Sequence, residues 1–419
     1  MILLVAEFQG ANDRMQDRLR GKYLLLCCGK NEKERPMDKL INSKVFIENS
    51  DGTDDGVLRL IRSMRARGIE FYRTEANLAG LISADDVVLL QINCQWAERG
   101  GTNTDLISSV IDAIAEHPAG FAGEIIIADN GQKQFGSEGT GGGLDWKRPN
   151  SKNRDQSVMD VIRAKKAKGL RVTGVLWDEF TTVRVNEFDT GDFTDGFVVE
   201  NEKHDSGIII TYPKFTTEYG TRVSFKNGIW SADGFDSAAL KVIGMPVLKS
   251  HALYYVTGAV KGYMGTTSDK LTKLPGQEQD GGLAHQSVGT GGMGTQMVHT
   301  RMAVLNIVDM IWISVELGPA VSYDVIPKGE KAHRFNSPAV EVNKIAASTD
   351  PVALDVWITR NILMIEAEKR GKATAQMDPA ANEPGTFGHW LRLTLNELRK
   401  GGIPATMDEN EITVCISEG

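Results

Sequence analysis

The sequence predicts an α/β protein: a mostly parallel sheet with helices on both faces, and a small antiparallel β lobe or flap in the middle. Three observations carry the prediction. Continuous apolar runs bounded by turn residues recur along the chain, as in "KVFIE" (44–48), "DVVLLQIN" (86–93) and "GEIIIADNG" (123–131). Segments with helical spacing of apolar residues alternate with them. Between residues 195 and 230 the rhythm breaks into short runs of strand character joined by turn residues.

Taken in order, "KVFIE" reads as a buried strand and "DGVLRLIRSMRARG" (55–68) as a helix closed by glycine. After "DVVLLQIN", the stretch "TNTDLISSVIDAIAEHP" (102–118) sets Leu106, Ile107, Val110, Ile111 and Ile114 on one helical face. "GEIIIADNG" is the next strand, and "QSVMDVIRAKKAKG" with "LRVTGVLW" repeats the helix-then-strand unit. "GFVVE", "GIIITYPKF" and "TRVSFKNGIW" are the short antiparallel strands, with "KNG" supplying turn chemistry. The α/β pattern resumes with the strand "LKVIGMPVL", a helix through "LYYVTGAVKGYM" and a long helix "TQMVHTRMAVLNIVDMIWIS". The strand "VEVNKIAA", the helix "DPVALDVWITRNILMIEAEKR", a final helix "FGHWLRLTLNELRKGG" and the strand "EITVCI" complete the series. The expected organisation is a lead segment over 1–42, an α/β domain over 43–370 with its antiparallel insertion near 195–230, and a helix–strand extension over 371–419.

Composition narrows the function. The 419 residues include 41% hydrophobic and 24% charged side chains, an ordinary globular balance with room for a large core. A net charge of -8 argues against nucleic-acid partners, which require a basic face. No apolar run approaches the roughly 20 residues of a membrane helix. The opening "MILLVAEFQGANDR" has no basic region ahead of its apolar burst, so a secreted product is not expected. Cys27, Cys28, Cys94 and Cys415 have neither the spacing of a metal clamp nor that of a disulfide framework, and a cytoplasmic setting is expected.

The chemistry-bearing residues gather at predicted strand ends. In "MPVLKSHALYYVTGAVKGYMG" (245–265), Lys249 and His251 fall just past a strand, and the helix after them is expected to aim its free amides at the same space. Lys249 and Lys261 are candidates to neutralise an anion, and His251 to orient it or exchange a proton. Asn93, Asp129 and Asp309 end or succeed apolar runs, where burial raises a carboxyl pKa and suits it to proton transfer or metal binding. Asp350, ahead of Pro351, reads as a helix N-cap, and Asp355 faces either core or rim. His251, His285 and His299 are candidate ligands for a divalent metal, although their spacing fits no standard motif. "GTGGMG" (289–294) satisfies GxGxxG without a preceding strand and reads as a mobile or ligand-covering loop rather than a dinucleotide site, and "GSEGTGGGLDW" (136–146) lies beyond a strand end.

The stretch "VIGMPVLKSHALYYVTGAVKGYMG" resembles the signature of the domain of unknown function 362 family, a Pro-x-x-Lys-x-His strand end leading into a Thr-Gly-x-x-Lys helix. "DVVLLQIN", "TNTDLISSVIDAI", "GEIIIADNG", "NIVDMIW" and "AASTDPVALDVW" resemble further family segments in order, over residues 43 to 365. Gln91 stands where the family usually has lysine, and the iron–sulfur cysteine run of some members is absent, so no iron–sulfur cluster is expected from this chain. The resemblance implies a fold and a pocket but no settled activity; strand-end placement puts that pocket at the carboxyl ends of the strands, with a divalent metal or nucleotide-derived cofactor as a candidate guest. His251, Lys261, Asp129 and Asp309 are the candidate catalytic residues, and Lys249, Asn93, Thr257 and Gly258 the candidate ligand contacts. A more distant likeness, His251 and Lys261 flanking Thr257–Gly258, is to nickel-pincer lactate racemases. The resulting expectation is a protein that binds an anionic small molecule and moves a proton; the alternative is a non-catalytic binding or redox-accessory module with a ferredoxin-like partner.

Overall fold

The computed structural model describes residues 42–417, apart from 97, 132–142, 147–148, 274–281, 317–320 and 323–336. The expected lead segment with Cys27 and Cys28, and most of the glycine-rich stretch at 136–146, lie outside the described residues.

The strands are β1 (Ser43–Asn49), β2 (Val87–Ile92), β3 (Glu124–Asp129), β4 (Val172–Leu176), β5 (Arg184–Val185), β6 (Gly196–Lys203), β7 (Ile209–Thr216), β8 (Arg222–Ser224), β9 (Gly228–Ser231) and β10 (Gly234–Asp236). They continue as β11 (Leu240–Met245), β12 (Val247–His251), β13 (Tyr255–Thr257), β14 (Leu305–Ser314), β15 (Val321–Ser322), β16 (Ser337–Pro338), β17 (Val340–Ser348) and β18 (Ile412–Ile416). The α-helices are α1 (Gly56–Ala66), α2 (Thr104–Ala115), α3 (Val158–Ala167), α4 (Ala259–Gly262), α5 (Leu283–Gln286), α6 (Gly292–His299), α7 (Pro351–Ile358), α8 (Met364–Glu368) and α9 (Phe387–Lys400).

A ten-stranded sheet runs in the order β18-β1-β17-β14-β11-β2-β3-β4, with β12 branching from β14 and carrying β13. It is mixed, which corrects the mostly parallel expectation: β17 lies antiparallel to both β1 and β14, and β13 antiparallel to β12. Apolar strands buried on both faces look the same in sequence whichever way they run, so the pattern does not encode direction. The antiparallel lobe is a six-stranded sheet, β10-β9-β8-β7-β6-β5, wider than the expected insertion and closed at one edge by a parallel β5–β6 pair.

Alternation along each strand divides the core in two. Val88, Leu90, Ile125 and Ile127 face α1, α2 and α3 through Leu60, Met64, Leu106, Val110 and Ile162. Leu89 and Ile126 face the other way, into a core shared with Phe197, Phe215 and Phe225 of the antiparallel lobe and Met293, Val352, Trp390 and Leu395 of the later helices.

Two expected helices are not formed. The stretch 295–314 holds the end of α6 and then β14, and the stretch 253–264 holds a turn, β13 and the short α4. Both contain β-branched and aromatic residues whose apolar runs are too short to separate strand from helix by period. The helix over 350–370 is interrupted by a π-turn at Thr359–Leu363. "GTGGMG" proves to be a packing device. Gly291 takes φ +91° at the start of α6, and a Cβ there would lie 2.9 Å from the Leu393 backbone; at Gly294 it would lie 2.5 Å from the Thr394 carbonyl. The glycines let α6 and α9 touch backbone to backbone.

Asp350 caps α7 by accepting from the amides of Val352 and Ala353 at 2.9 and 3.0 Å. Its other oxygen accepts from Ser43 Oγ at 2.5 Å and Thr406 N at 2.9 Å, so one buried carboxylate joins β1, α7 and the approach to β18. Asp350→Ala removes the cap and strands the buried Thr406 amide as well as those of Val352 and Ala353, and is expected to cost about 2–3 kcal/mol in urea unfolding. A midpoint unchanged within error would show that these bonds contribute nothing to stability.

Candidate functional site

The site is built where β11 gives way to β12. Pro246 has no amide proton and ends the pairing with β2, whose last partner pair is Met245 with Ile92. Side chains satisfy the backbone at the break: Asn93 Oδ1 accepts from Val247 N at 3.0 Å, and Thr102 Oγ1 donates to the Met245 carbonyl at 2.7 Å. The chain then continues beside β14 alone, and Lys249 and His251 lie within β12 rather than past a strand end. Asn93 is thereby placed at the splice, its carbonyl oxygen already engaged.

Beyond β12 the chain turns tightly. His251 Nδ1 accepts from the amides of Leu253 and Tyr254 at 3.1 and 3.2 Å, which puts the proton of the neutral ring on Nε2. Tyr255 adopts φ +62°, and Val256 N donates to the Tyr254 carbonyl at 2.7 Å, forming a γ-turn of the strained positive-φ type. Thr257 pairs with Lys249 across the hairpin, and its hydroxyl oxygen is buried without a hydrogen-bond partner.

The α4 terminus differs from expectation. Its amides are not free: the Asp355 carboxylate accepts from Ala259 N at 2.6 Å and Val260 N at 3.0 Å. Gly258 makes room for this contact, since a Cβ there would lie 2.3 Å from Asp355 Oδ1. Burial raises the Asp355 pKa to about 7, against the two amide bonds that lower it. Asp355 therefore holds α4, and with it Lys261, against α7.

Lys249 and Lys261 are 4% and 7% exposed, and neither ammonium has a hydrogen bond or ion pair among the described residues. The other two buried lysines among those residues are satisfied. Lys165 Nζ reaches Asp112 at 2.5 Å, and Lys214 Nζ donates to the Asn186 and Asp192 carbonyls at 2.6 Å each. Burial lowers the Lys249 pKa to about 8, opposed by the Asp129 charge. Burial and then the Lys249 charge lower that of Lys261 to about 7, opposed by Asp269. Lys261 Nζ sits 5.7 Å from the Tyr254 ring centre.

Around them, Asp129 at the end of β3 accepts from Cys94 N at 2.7 Å, and burial lifts its pKa to about 7. A Cβ on Gly265 would lie 2.6 Å from Asp129 Oδ1 and 2.8 Å from Gln91 Nε2, so the glycine admits both side chains beside the helix that carries Lys261. Gln91 donates to the Gly262 carbonyl at 2.7 Å and serves as a strut rather than a charge. Asp269, which no sequence motif marks, accepts from His285 N at 3.0 Å through Oδ1 and leaves Oδ2 buried without a partner.

His285 lies with His251, ring centres 5.8 Å apart, and both touch Tyr254. Burial, and then the Lys261 charge, hold both imidazoles neutral, His285 near a pKa of about 3. Two lysine charges beside them oppose a divalent cation at this place. His299 is elsewhere, stacked near His204 at 4.3 Å, so the three-histidine metal set is not assembled. Asp309 also belongs to a separate network: its oxygens accept from the amides of Asn103 and Ile311 at 2.8 and 2.9 Å and from Asn150 Nδ2 at 3.3 Å, tying β14 to the start of α2.

Residues 236–360 match the family model described as Domain of unknown function (DUF362). This stretch is similar to that family, in support of the resemblance read from the sequence. It holds β11 to β14, β17 and α7, and so contributes Lys249, His251, Lys261, Asp269, His285 and Asp355, whereas Gln91, Asn93 and Asp129 reach the same place from earlier in the chain. The match is shorter than the 43–365 span of the resemblance. No curated protein and no solved structure matches the chain, and nothing supports the likeness to lactate racemases.

The lysines make a pH prediction. Between the folded Lys261 value of about 7 and the ordinary value of 10.5, the unfolded chain binds a proton that the folded chain lacks, so stability rises with pH across that window. Lys261→Met should flatten the slope by about 1.4 kcal/mol per pH unit while leaving the protein at least as stable at pH 7. Parallel curves for wild type and variant in urea titrations at pH 7–10 would mean that Lys261 is solvated.

Proposed function

We propose that the protein binds a small anionic molecule against Lys249 and Lys261 and exchanges a proton with it. The observation that supports this most is the pair of buried lysines without a hydrogen bond or close ion pair, in a molecule whose other buried lysines, both statements holding among the described residues, are paired. An unpaired buried ammonium costs several kcal/mol, and a fold that carries two is stabilised when a ligand brings negative charge to them. The helix terminus takes no part in this reading, because Asp355 occupies it; the side-chain cations do the binding.

Proton exchange is supported by groups poised near neutrality. Asp129 and Lys261 at about 7 and Lys249 at about 8 give one locality both acid and base forms at working pH. An anion raises the lysine values by favouring their charged forms, so binding itself loads the site with protons. His251 and His285, neutral and flanking Tyr254, supply orientation at the edge. Substrate classes consistent with this chemistry are small carboxylates and phosphate esters.

The test is a series of melts with phosphate, sulfate and malonate at fixed ionic strength. An anion that binds only the folded state raises the melting temperature of wild type, with smaller or absent shifts for Lys249→Met and Lys261→Met. Equal shifts in all three proteins would contradict the reading.

A further inference from the structure

Glu200 near the end of β6, His204 in the turn beyond it and His299 at the end of α6 each offer a ligand atom, all within 4.8 Å of one another. From this geometry we infer a second site, independent of the lysines, that binds one divalent first-row cation such as zinc through two imidazoles and a carboxylate.

The donor set is chemically suited, since imidazole and carboxylate together are the ligands of zinc, nickel and cobalt sites. It is also unspent. His204 Nε2 is buried without a hydrogen-bond partner and lies 3.8 Å from Glu200 Oε2, and the His299 ring makes no hydrogen bond among the described residues. Ligand atoms around a tetrahedral zinc stand about 3.3 Å apart, so a modest contraction closes the site.

The backbone is already arranged for it. His204 N donates to the Ile208 carbonyl and Gly207 N to the His204 carbonyl, at 2.9 and 2.8 Å, which makes a tight turn. Ser206 Oγ bonds Thr295 Oγ1 at 2.7 Å, and Thr290 Oγ1 donates to the Ser206 carbonyl at 2.6 Å, which pins that turn to the neighbourhood of α6. His204 and His299 are therefore held by rigid elements, as a preorganised site requires.

The surrounding charges are mixed. Lys226 takes Glu200 Oε1 at 2.5 Å and leaves Oε2 toward His204. Glu397 of α9 bears on His299 and is itself paired with Lys400 at 2.6 Å. A bound cation would clamp β6 to the α6–α9 pair, with remaining positions filled by water.

Calorimetric titration of zinc into chelator-treated full-length protein tests this, with His204→Gln, His299→Gln and His285→Gln in parallel. One equivalent should bind wild type and His285→Gln and raise their melting temperatures, and both effects should be lost in the other two variants. Absence of zinc binding by wild type, or equal affinity in His204→Gln and His299→Gln, overturns the site. Should those variants fail to fold, copper(II) electron paramagnetic resonance of the His285→Gln protein decides: coupling to two imidazole nitrogens supports the site, and its absence overturns it.

Discussion

The arrangement depends on one residue that cannot donate a hydrogen bond. Pro246 stops the strand from continuing beside β2, and Asn93 and Thr102 take up the backbone groups that the break releases. The carbonyl of Pro246 still accepts from Asp309 N at 2.8 Å, so the chain remains fastened to β14 while it leaves β2. The β12 strand consequently has one neighbour in the main sheet and a hairpin partner on its other side. Beyond the ends of β2 and β3, Lys249, Asp129 and the α4 helix come together.

The second constraint is Asp355. A carboxylate buried under a four-residue helix satisfies amides that would otherwise attract an anion, and in doing so fixes the position of Lys261. The electrostatic character of the site thus comes from side chains. Two buried ammoniums face two carboxyls whose own ionisation is opposed by burial, an arrangement with near-balanced protonation states and no tight ion pairs among the described residues. The strained Tyr255 turn and the π-turn after α7 lie in the flanking elements, in keeping with strain being retained near functional positions.

Much of the scaffold is legible in the sequence because its signals are local. Apolar runs such as "VVLLQI" and "EIIIAD", short and bounded by turn residues, read as strands, and Asp350 with Pro351 marks a helix start by side-chain chemistry alone. Strand direction is not legible, since buried strands carry no directional pattern. The run "LNIVDMIWIS" reads as helix because its largely apolar ten residues fit either period. Within the site, Lys249, His251, Lys261 and Asp129 stand out by their places beside apolar runs. Asp269 does not, because the amide it binds, that of His285, lies well along the chain and comes near it only in the fold. The Asp309 carboxylate binds Asn103, Ile311 and Asn150, and the His299 ring lies beside His204, contacts that their sequence settings do not reveal.

The central claim is that Lys249 and Lys261 are buried cations awaiting a counter-charge. Its most direct measurement is the titration of their ε-methylene carbon signals by NMR in lysine-labelled protein, with assignments from the single methionine replacements, in the absence and presence of phosphate. Both lysines should titrate below the ordinary lysine value, Lys261 lowest, and phosphate should move both upward. Two signals titrating near 10.5, unmoved by phosphate, would contradict the claim.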